Sequence, residues 1–233
     1  MDMESAPFRE TVSGLDQILD LEETGVKVAR GKGTGLQKTA VIALLVYGLF
    51  AVLTLVKSNI WILLVLPVVI LAIDFLSGFV HWFFDTQVQP SSTFLGRIAI
   101  DFLDHHIRPR RTVDVGFFMS AWRPAVMVSL PFLTFALLLK GNPLASAVAL
   151  WIGCLSMLVP QTHKLAHHPV PGRLAATFQS ARLMIQPGSH QKHHADNKQS
   201  FCVFTGWFNP ILDKSGFWRR MERFFATMRG KPC

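Results

Sequence analysis

The stretch IWILLVLPVVILAIDFLSGFV, residues 60–80, decides the fold. Its only charged residue is Asp74, and it is long enough to cross a bilayer as one helix, which takes about 20 apolar residues. An uncharged run, TAVIALLVYGLFAVLTLV at residues 39–56, precedes it, and only residues 57–59 separate the two. So short a break predicts a tight hairpin of two transmembrane helices.

A second pair of apolar runs follows at residues 124–139 and 143–160, on either side of the turn 140–142. The first of these runs is short for a full span, so we expect it to be tilted or partly buried. Half of the chain is hydrophobic and only 16% is charged, whereas an ordinary soluble domain carries about 25% charged residues. We therefore predict an all-α integral membrane protein with about four transmembrane helices in two hairpins. A polar cytosolic leader, residues 1–38, precedes this membrane domain, which takes up residues 39–233.

The basic residues predict the orientation of these hairpins. The outer turns contain only Lys57 and Lys140, whereas residues 81–122 and the segment after residue 160 contain most of the Lys and Arg. Loops rich in Lys and Arg stay on the cytoplasmic side, so both termini and the middle loop should be cytoplasmic, in a bacterial inner membrane or an endoplasmic reticulum. The net charge of +8 also suits anionic lipid. Nucleic-acid binding is not expected, because no basic stripe alternates with aromatic residues.

The nine histidines all fall on the predicted cytoplasmic side, although the topology was drawn from Lys and Arg alone. Several are spaced i,i+3 or i,i+4, which places them on one face of a helix. We therefore expect a His-rich helical cap on the cytosolic face. Eight of them form four separate contributions: His81; His105 and His106; His163 and His167; and His190, His193 and His194. His168 falls outside this pattern and is expected to be an interfacial residue.

These spacings predict a metal centre. Neutral imidazoles paired on a helix face bind a transition metal from one side, and imidazole suits Fe, Zn, Cu and Ni. One ion uses three or four such ligands, so eight histidines favour two ions in a shared core. Soluble di-iron bundles use Glu for this purpose, but after the leader the chain contains only Glu222. A histidine-rich di-iron site is therefore the better chemical match.

Four aspartates lie close to these histidines in the sequence. Asp74 is inside a predicted span, where a carboxylate is costly unless it is paired, and we expect it to accept a hydrogen bond from a ligand imidazole. Asp85, Asp101 and Asp104 could do the same, or could be solvated acids of the loop.

The motifs occur in the order and spacing of a known family. The residues involved are DFLSGFVHWFFDT (74–86), DHHIRP (104–109), THKLAH (162–167), HQKHH (190–194) and FTGWFNPILDKSGFWRRME (204–222). Together they resemble the lipid desaturase domain family, which belongs to the membrane fatty acid desaturase and hydroxylase superfamily. The similarity runs from about residue 70 to 225, and the final stretch is most similar to members that act on plasmanylethanolamine.

This resemblance implies a di-iron centre on the eight histidines, with O2 as co-substrate. It also implies a membrane phospholipid substrate and an electron donor such as cytochrome b5 or a ferredoxin. The expected reaction converts plasmanylethanolamine to the vinyl ether of a plasmalogen. Asn209 could supply or position a further ligand or water, or could be a turn residue before Pro210. Residues 112–122 stand where relatives carry a polar stretch with basic and amide residues. If this stretch contacts the lipid head group or the donor protein, the substrate need not be the one that the resemblance implies.

Other functions stay open at this point. The same histidines suit a desaturase of an ordinary phospholipid acyl chain, or a hydroxylase of a carotenoid, sterol or fatty acyl chain. A metal transporter is of a different class and usually places its ligands near the middle of the spans, whereas these histidines lie at or beyond the span ends. A non-catalytic membrane scaffold that has kept the histidines would bind no iron.

Overall fold

The structure is a computed structural model that describes residues 31–230 of the 233-residue chain, and every regular element in that range is helical. The helices are α1 (Gly35–Ser58), α2 (Leu66–Thr86), α3 (Gly96–Ile107), α4 (Pro109–Asp114), α5 (Phe117–Pro124), α6 (Leu130–Leu138), α7 (Pro143–Ser156), α8 (Val159–Ala166), α9 (Arg173–Ser180), α10 (Pro187–Ala195), α11 (Asn209–Lys214) and α12 (Phe217–Met228). A 3₁₀ segment, Ile60–Val65, precedes α2, and a π-helical segment, Ala125–Ser129, joins α5 to α6. The all-α prediction is therefore confirmed for the described residues. Most of the predicted leader, residues 1–38, lies outside them.

Three helical stretches are long and apolar enough to cross a membrane, namely Gly35–Ser58, Ile60–Thr86 and Phe117–Leu138. Helices α7 and α8 make a fourth only if they are counted as one span, because a 40° bend separates them. Pro160 lies in the first turn of α8, where the missing N–H is tolerated, so the bend falls at the break before it. The predicted number of about four spans is met when this bent pair is included.

The first span begins earlier than the apolar run suggests. Thr34 caps α1, because its hydroxyl accepts a hydrogen bond from the Gln37 backbone N–H and the Gln37 side chain accepts one from the Thr34 N–H. This reciprocal cap satisfies two amides at the helix start. The helix ends at Ser58. The side chain of the next residue, Asn59, accepts from the Trp61 N–H and caps the start of the 3₁₀ segment.

The third span also begins earlier, at Phe117 instead of residue 124. Pro124 and Pro131 lie within it, and a proline has no N–H to donate to the preceding turn. The turn between them is π-helical, with the Leu130 N–H bonded to the Ala125 carbonyl, and this wider turn lets the helix continue past both prolines. Residues 117–122 therefore supply the start of a span, and residues 112–114 form the end of α4.

Small side chains fill the contact between the spans. Ala51, Ala136 and Ala147 are fully buried there, which allows the helix backbones to approach closely. The Ser146 hydroxyl donates to the Ala136 carbonyl at 2.7 Å, which adds a polar contact between α7 and α6. Large apolar side chains point outward instead; exposed examples are Leu49, Phe50, Leu53, Leu64 and Val68. A bilayer is the solvent that covers such a surface.

The histidines gather at one end of the helices. His81 lies near the end of the stretch that starts at Ile60, so it is remote from the turn at residues 57–59. His163 lies on α8, beyond the bend that follows α7. Helix α8 packs against α4, α5 and α10, and α3 packs against α2, so every histidine-bearing helix reaches this end.

Candidate metal centre

Eight histidines and one aspartate converge as two neighbouring groups, and within each group the ligand atoms lie within 4.8 Å of one another. The five-histidine group consists of His105, His163, His167, His190 and His194. The four-ligand group consists of His81, Asp85, His106 and His193. The two groups are adjacent because two pairs of consecutive histidines, 105–106 and 193–194, each contribute one residue to each group. All eight histidines that the sequence singled out are thus brought together.

His190 lies at the centre of the five-histidine group. Its Nε2 atom is 2.9 Å from that of His163, 2.8 Å from that of His167 and 3.1 Å from that of His194. The Nε2 atom of His105 is in turn 3.1 Å from that of His163. Two nitrogens bound about 2.1 Å from one ion at a right angle are about 3 Å apart. These separations therefore suit neighbouring ligands of a single metal ion.

Protons alone cannot satisfy this arrangement. The His105 Nδ1–H donates to the Phe102 carbonyl at 2.9 Å, so the Nε2 of the neutral ring is a bare lone pair. His190 Nε2 faces three other imidazole nitrogens, and one N–H can serve only one of those contacts. Several lone pairs consequently face each other. A cation among them converts this repulsion into coordination.

In the four-ligand group, three imidazole nitrogens converge on a carboxylate oxygen. Asp85 Oδ2 is 3.3 Å from His81 Nε2, 3.1 Å from His106 Nε2 and 3.3 Å from His193 Nε2. The Nδ1–H of His81 donates to the Phe201 carbonyl at 3.2 Å, and that of His193 donates to the Gln199 carbonyl at 2.8 Å. In the neutral rings both Nε2 lone pairs then point toward a carboxylate oxygen. His81 Nε2 is buried and accepts no hydrogen bond among the described residues, which is the condition of a ligand atom prepared for a metal.

Four imidazoles outside the spans, those of His105, His167, His190 and His194, are held in the neutral form that binds metal. Burial lowers the pKa of His105 and of His190 well below the usual value, and the surrounding histidines add to this effect. For the same reasons the pKa of His194 falls to about 2, and that of His167 to about 4. These rings are neutral at physiological pH, so their nitrogens are available as ligands. The donor set of eight imidazoles and one carboxylate suits two first-row transition ions such as iron.

Asp74 has a different position from the one expected. It is fully buried, its Oδ1 accepts from the Thr205 and Gly206 N–H groups at 2.7 and 2.8 Å, and its Oδ2 accepts from the Phe208 N–H at 3.1 Å. The carboxylate therefore binds the backbone of the segment before α11, in place of the expected ligand imidazole. Three amide donors account for a charged group within a span.

Asn209 also binds backbone. Its Oδ1 accepts from the Cys202 N–H at 2.8 Å and its Nδ2 donates to the Cys202 carbonyl at 2.9 Å. Both polar atoms of its side chain are therefore engaged with residue 202.

The remaining candidates lie beside the two groups. Asp104 accepts from the Arg108 side chain and Asp101 accepts from Arg123, so both pair with arginine, not with an imidazole. His168 belongs to neither group, and its Nδ1 accepts from the Val170 N–H at 3.2 Å.

The segment at residues 112–122 packs against α8, which carries His163 and is directly followed by His167. Lys164 of this helix donates to the Val115 carbonyl, and the Gln161 side chain donates to the Ser120 hydroxyl at 2.6 Å. This divergent stretch is therefore a support for α8.

Sequence reasoning missed the residues that hold the loop before α11. Ser200 and Asp213 were not singled out, although Asp213 accepts from both the N–H and the hydroxyl of Ser200, each at 2.9 Å. An Asp within the GWFNPILD stretch was the only available signal. For Asp85 the sequence left open an orienting role or a solvated loop position, and the structure places its carboxylate among the candidate ligand atoms themselves.

Comparison with known proteins agrees with these motifs. Residues 69–232 match the family described as Lipid desaturase domain. Plasmanylethanolamine desaturase of Myxococcus xanthus is 31% identical over 172 residues, which are 69% of this chain and 59% of that protein. Plasmanylethanolamine desaturase 1 of Mus musculus is 30% identical over 183 residues, which are 71% of this chain and 68% of that protein. Chloroplastic fatty acid desaturase 4 of Arabidopsis thaliana is 24% identical over 161 residues, covering 67% of this chain and 49% of that protein. No solved structure matches the chain.

Proposed function

This chain belongs to the lipid desaturase family, and we propose that it is an O2-dependent, di-iron enzyme that desaturates plasmanylethanolamine to a plasmalogen. The observation that carries this proposal is the pair of adjoining ligand groups at the end of the apolar helices. The chain covers 59% of the length of the bacterial relative. The activity that the relative's name states is therefore proposed for this chain.

Each ion has its own set of residues in this proposal. The five-histidine group would hold one iron, and His81, Asp85, His106 and His193 would hold the other. When bound, the iron pair supplies the activation of O2 that removal of hydrogen from an unactivated C–H bond requires. The asymmetry between five neutral ligands and three neutral ligands with a carboxylate gives the two ions different local charge.

The surrounding protein fixes the orientation of the ligand imidazoles and excludes water from them. His81, His190 and His193 are at most 1% exposed, which keeps bulk water away from the ligand atoms. The carbonyls of Gln199 and Phe201 hold two of these rings with the Nε2 atoms directed into the group. Such hydrogen bonds to ligand histidines fix the ring tautomer and raise the basicity of the metal-binding nitrogen.

The reaction requires a reductant. Each double bond consumes O2, two electrons and two protons, and two hydrogens leave the lipid chain as part of two water molecules. We propose that a small redox protein such as cytochrome b5 or a ferredoxin supplies the electrons. The substrate chain would approach from the bilayer, because His81 and Asp85 belong to a helix that is itself long enough to span it. We further propose that both termini and the histidine groups are cytoplasmic, as the Lys and Arg distribution predicts.

Expression in a cell that makes alkyl ether phospholipids but lacks its own desaturase tests the substrate. Mass spectrometry should show ether lipids that have lost two hydrogens, with a product that mild acid cleaves as it cleaves a vinyl ether. The His193→Ala variant, expressed at equal level, should give none of this product. If ordinary acyl chains gain the double bond and ether lipids do not, the plasmalogen assignment is wrong and a phospholipid acyl desaturase replaces it. Gain of an oxygen atom on the lipid would indicate a hydroxylase instead.

A further inference from the structure

Two ligands of the four-ligand group depend on carbonyls that are two residues apart. The Gln199 carbonyl accepts from His193 Nδ1 at 2.8 Å, and the Phe201 carbonyl accepts from His81 Nδ1 at 3.2 Å. These histidines belong to α10 and α2, so residues 199–201 hold side chains from two separate helices in place. We call these residues the carbonyl fork.

The fork contains an unusual backbone conformation. Ser200 has a φ of 58°, which is the left-handed region that residues with a side chain rarely adopt. Such a conformation persists only where the surrounding structure holds it. Ser200 is 3% exposed, and the carboxylate of Asp213 accepts from its N–H and from its hydroxyl, each at 2.9 Å.

Two other side chains hold the segment that follows the fork. Asn209 forms both of its bonds with the backbone of Cys202, and Asp74 binds three amides between residues 205 and 208. A single segment of chain is thus fixed at its start by Asp213, at residue 202 by Asn209 and at its end by Asp74. None of these three side chains is among the ligand atoms of either group.

We propose that the Ser200–Asp213 pair is a positioning device that fixes the carbonyl fork and thereby determines binding of the ion in the four-ligand group. This inference deepens the proposed function and rests on its two metal ions, but not on its lipid substrate. Among the described residues, no ring of the five-histidine group is hydrogen-bonded to the fork: His105 donates to Phe102 within its own helix α3, and the buried His190 Nδ1 has no hydrogen-bond partner. Disturbing the fork should therefore affect one ion and spare the other.

Ferrous iron binding to metal-free protein under argon tests this selectivity, with iron per chain measured by elemental analysis across a titration. The unsubstituted protein should bind two ions. Asp213→Ala should retain one tight ion and bind the other about 10 to 100 times more weakly, the usual effect of removing a residue that orients a metal ligand. Asp213→Asn should restore most of the lost affinity, because its amide can accept from the Ser200 N–H and donate to the Ser200 hydroxyl. Asp114→Ala is the matched control, because it removes an exposed carboxylate at the end of α4 that belongs to neither ligand group, and it should bind iron as the unsubstituted protein does.

Double variants identify which ion is affected. Adding His193→Ala to Asp213→Ala should further weaken only the ion that Asp213→Ala has already weakened, and the tight ion should stay bound, because both changes act on the four-ligand group. Adding His194→Ala should remove the remaining ion as well. Equal weakening of both ions by Asp213→Ala would indicate a general structural role and overturn the proposal, and so would two ions bound with unchanged affinity.

Substitutions at Ser200 keep the proposal testable if Asp213→Ala does not fold. Ser200→Gly retains the left-handed conformation and should bind both ions, whereas Ser200→Val cannot adopt it and should lose the ion of the four-ligand group. Two Ser200 variants that bind iron identically would overturn the proposal. If the unsubstituted protein binds no iron, the di-iron function itself is wrong; if it binds two ions and every fork variant also binds two with equal affinity, only the positioning role is wrong.

Discussion

The five-histidine group and the four-ligand group lie side by side but are built differently. The ligands of the first lie on α3, α8 and α10, except His167, which directly follows α8. Four of its five imidazoles form two pairs at the helical spacing i,i+4. The second combines α2 with α3 and α10, includes the carboxylate of Asp85, and has two of its rings held by the loop carbonyls of Gln199 and Phe201.

This difference shows two ways of arranging a ligand set. In the five-histidine group, the helical repeat brings together the nitrogens of two i,i+4 pairs, His163 with His167 and His190 with His194. In the four-ligand group, two loop carbonyls fix the orientation of the His81 and His193 rings. Substitutions that affect the two ligand groups should therefore differ in the size and in the kind of effect that they produce.

Loss of a ligand from either group should have the largest effect. We expect His167→Ala and His193→Ala each to abolish turnover, because each removes one of the converging nitrogens from a different group. Product formation measured by lipid mass spectrometry checks this, with membrane extraction and immunodetection as proof that each variant still inserts. Retention of substantial activity by His193→Ala would show that the four-ligand group is not required.

Removal of the carboxylate should be the next most severe change. Asp85→Asn keeps the shape of the side chain but removes the negative charge facing His81, His106 and His193, so we expect the iron of that group to bind about 10 to 100 times more weakly. Asp104→Asn is the matched comparison. Its carboxylate pairs with Arg108, so it should lower stability without changing the iron content. Equal iron loss in the two variants would contradict a ligand role for Asp85.

A change in packing at the loop should have a moderate effect on stability. A Cβ atom at Gly78 would lie 2.5 Å from Cys202 Sγ and 3.1 Å from the Cys202 backbone nitrogen. Because backbone must move to make room, Gly78→Ala should cost about 1 to 3 kcal/mol in the free energy of unfolding. At Gly48 the nearest atom would be Leu133 Cδ1 at 3.6 Å, an ordinary contact, so Gly48→Ala should unfold near the temperature of the unsubstituted protein. Thermal unfolding in detergent compares the two variants, and equal midpoints would contradict the close packing of α2 against the loop.

The smallest effect should come from His168. It adjoins His167 in the chain but belongs to neither group, and its Nδ1 accepts a hydrogen bond from the backbone N–H of Val170. We expect His168→Ala to retain most of the activity and both ions. Inactivity comparable to that of His167→Ala would show that the division between ligands and neighbours at this position is wrong.

The sequence predicted those features that depend on local periodicity. Uncharged runs predicted the apolar helices, and the i,i+3 and i,i+4 spacing of histidines predicted which imidazoles share one helix face. Both predictions depend only on residues that are close together in the sequence. The span ends were less accurate. The Thr34 cap and the π-helical turn between Pro124 and Pro131 extend helices into polar or proline-containing sequence.

The orientation of the buried acids could not be read from the sequence. Asp74 and Asp85 lie on the same helix, yet one binds backbone amides of residues 205–208 and the other faces three imidazoles. The distinction depends on where a segment more than a hundred residues later packs against α2, as the separation of Asp74 from Thr205 illustrates. Ser200 and Asp213 were missed for the same reason, since their pairing arises only when that segment is folded.

The metal content of the purified, unsubstituted protein tests the central claim most directly. The protein should be produced in medium that contains both iron and zinc, and the metals should be counted per chain by elemental mass spectrometry. Two groups of converging ligand atoms predict about two irons per chain. One zinc per chain and no iron would contradict the di-iron account.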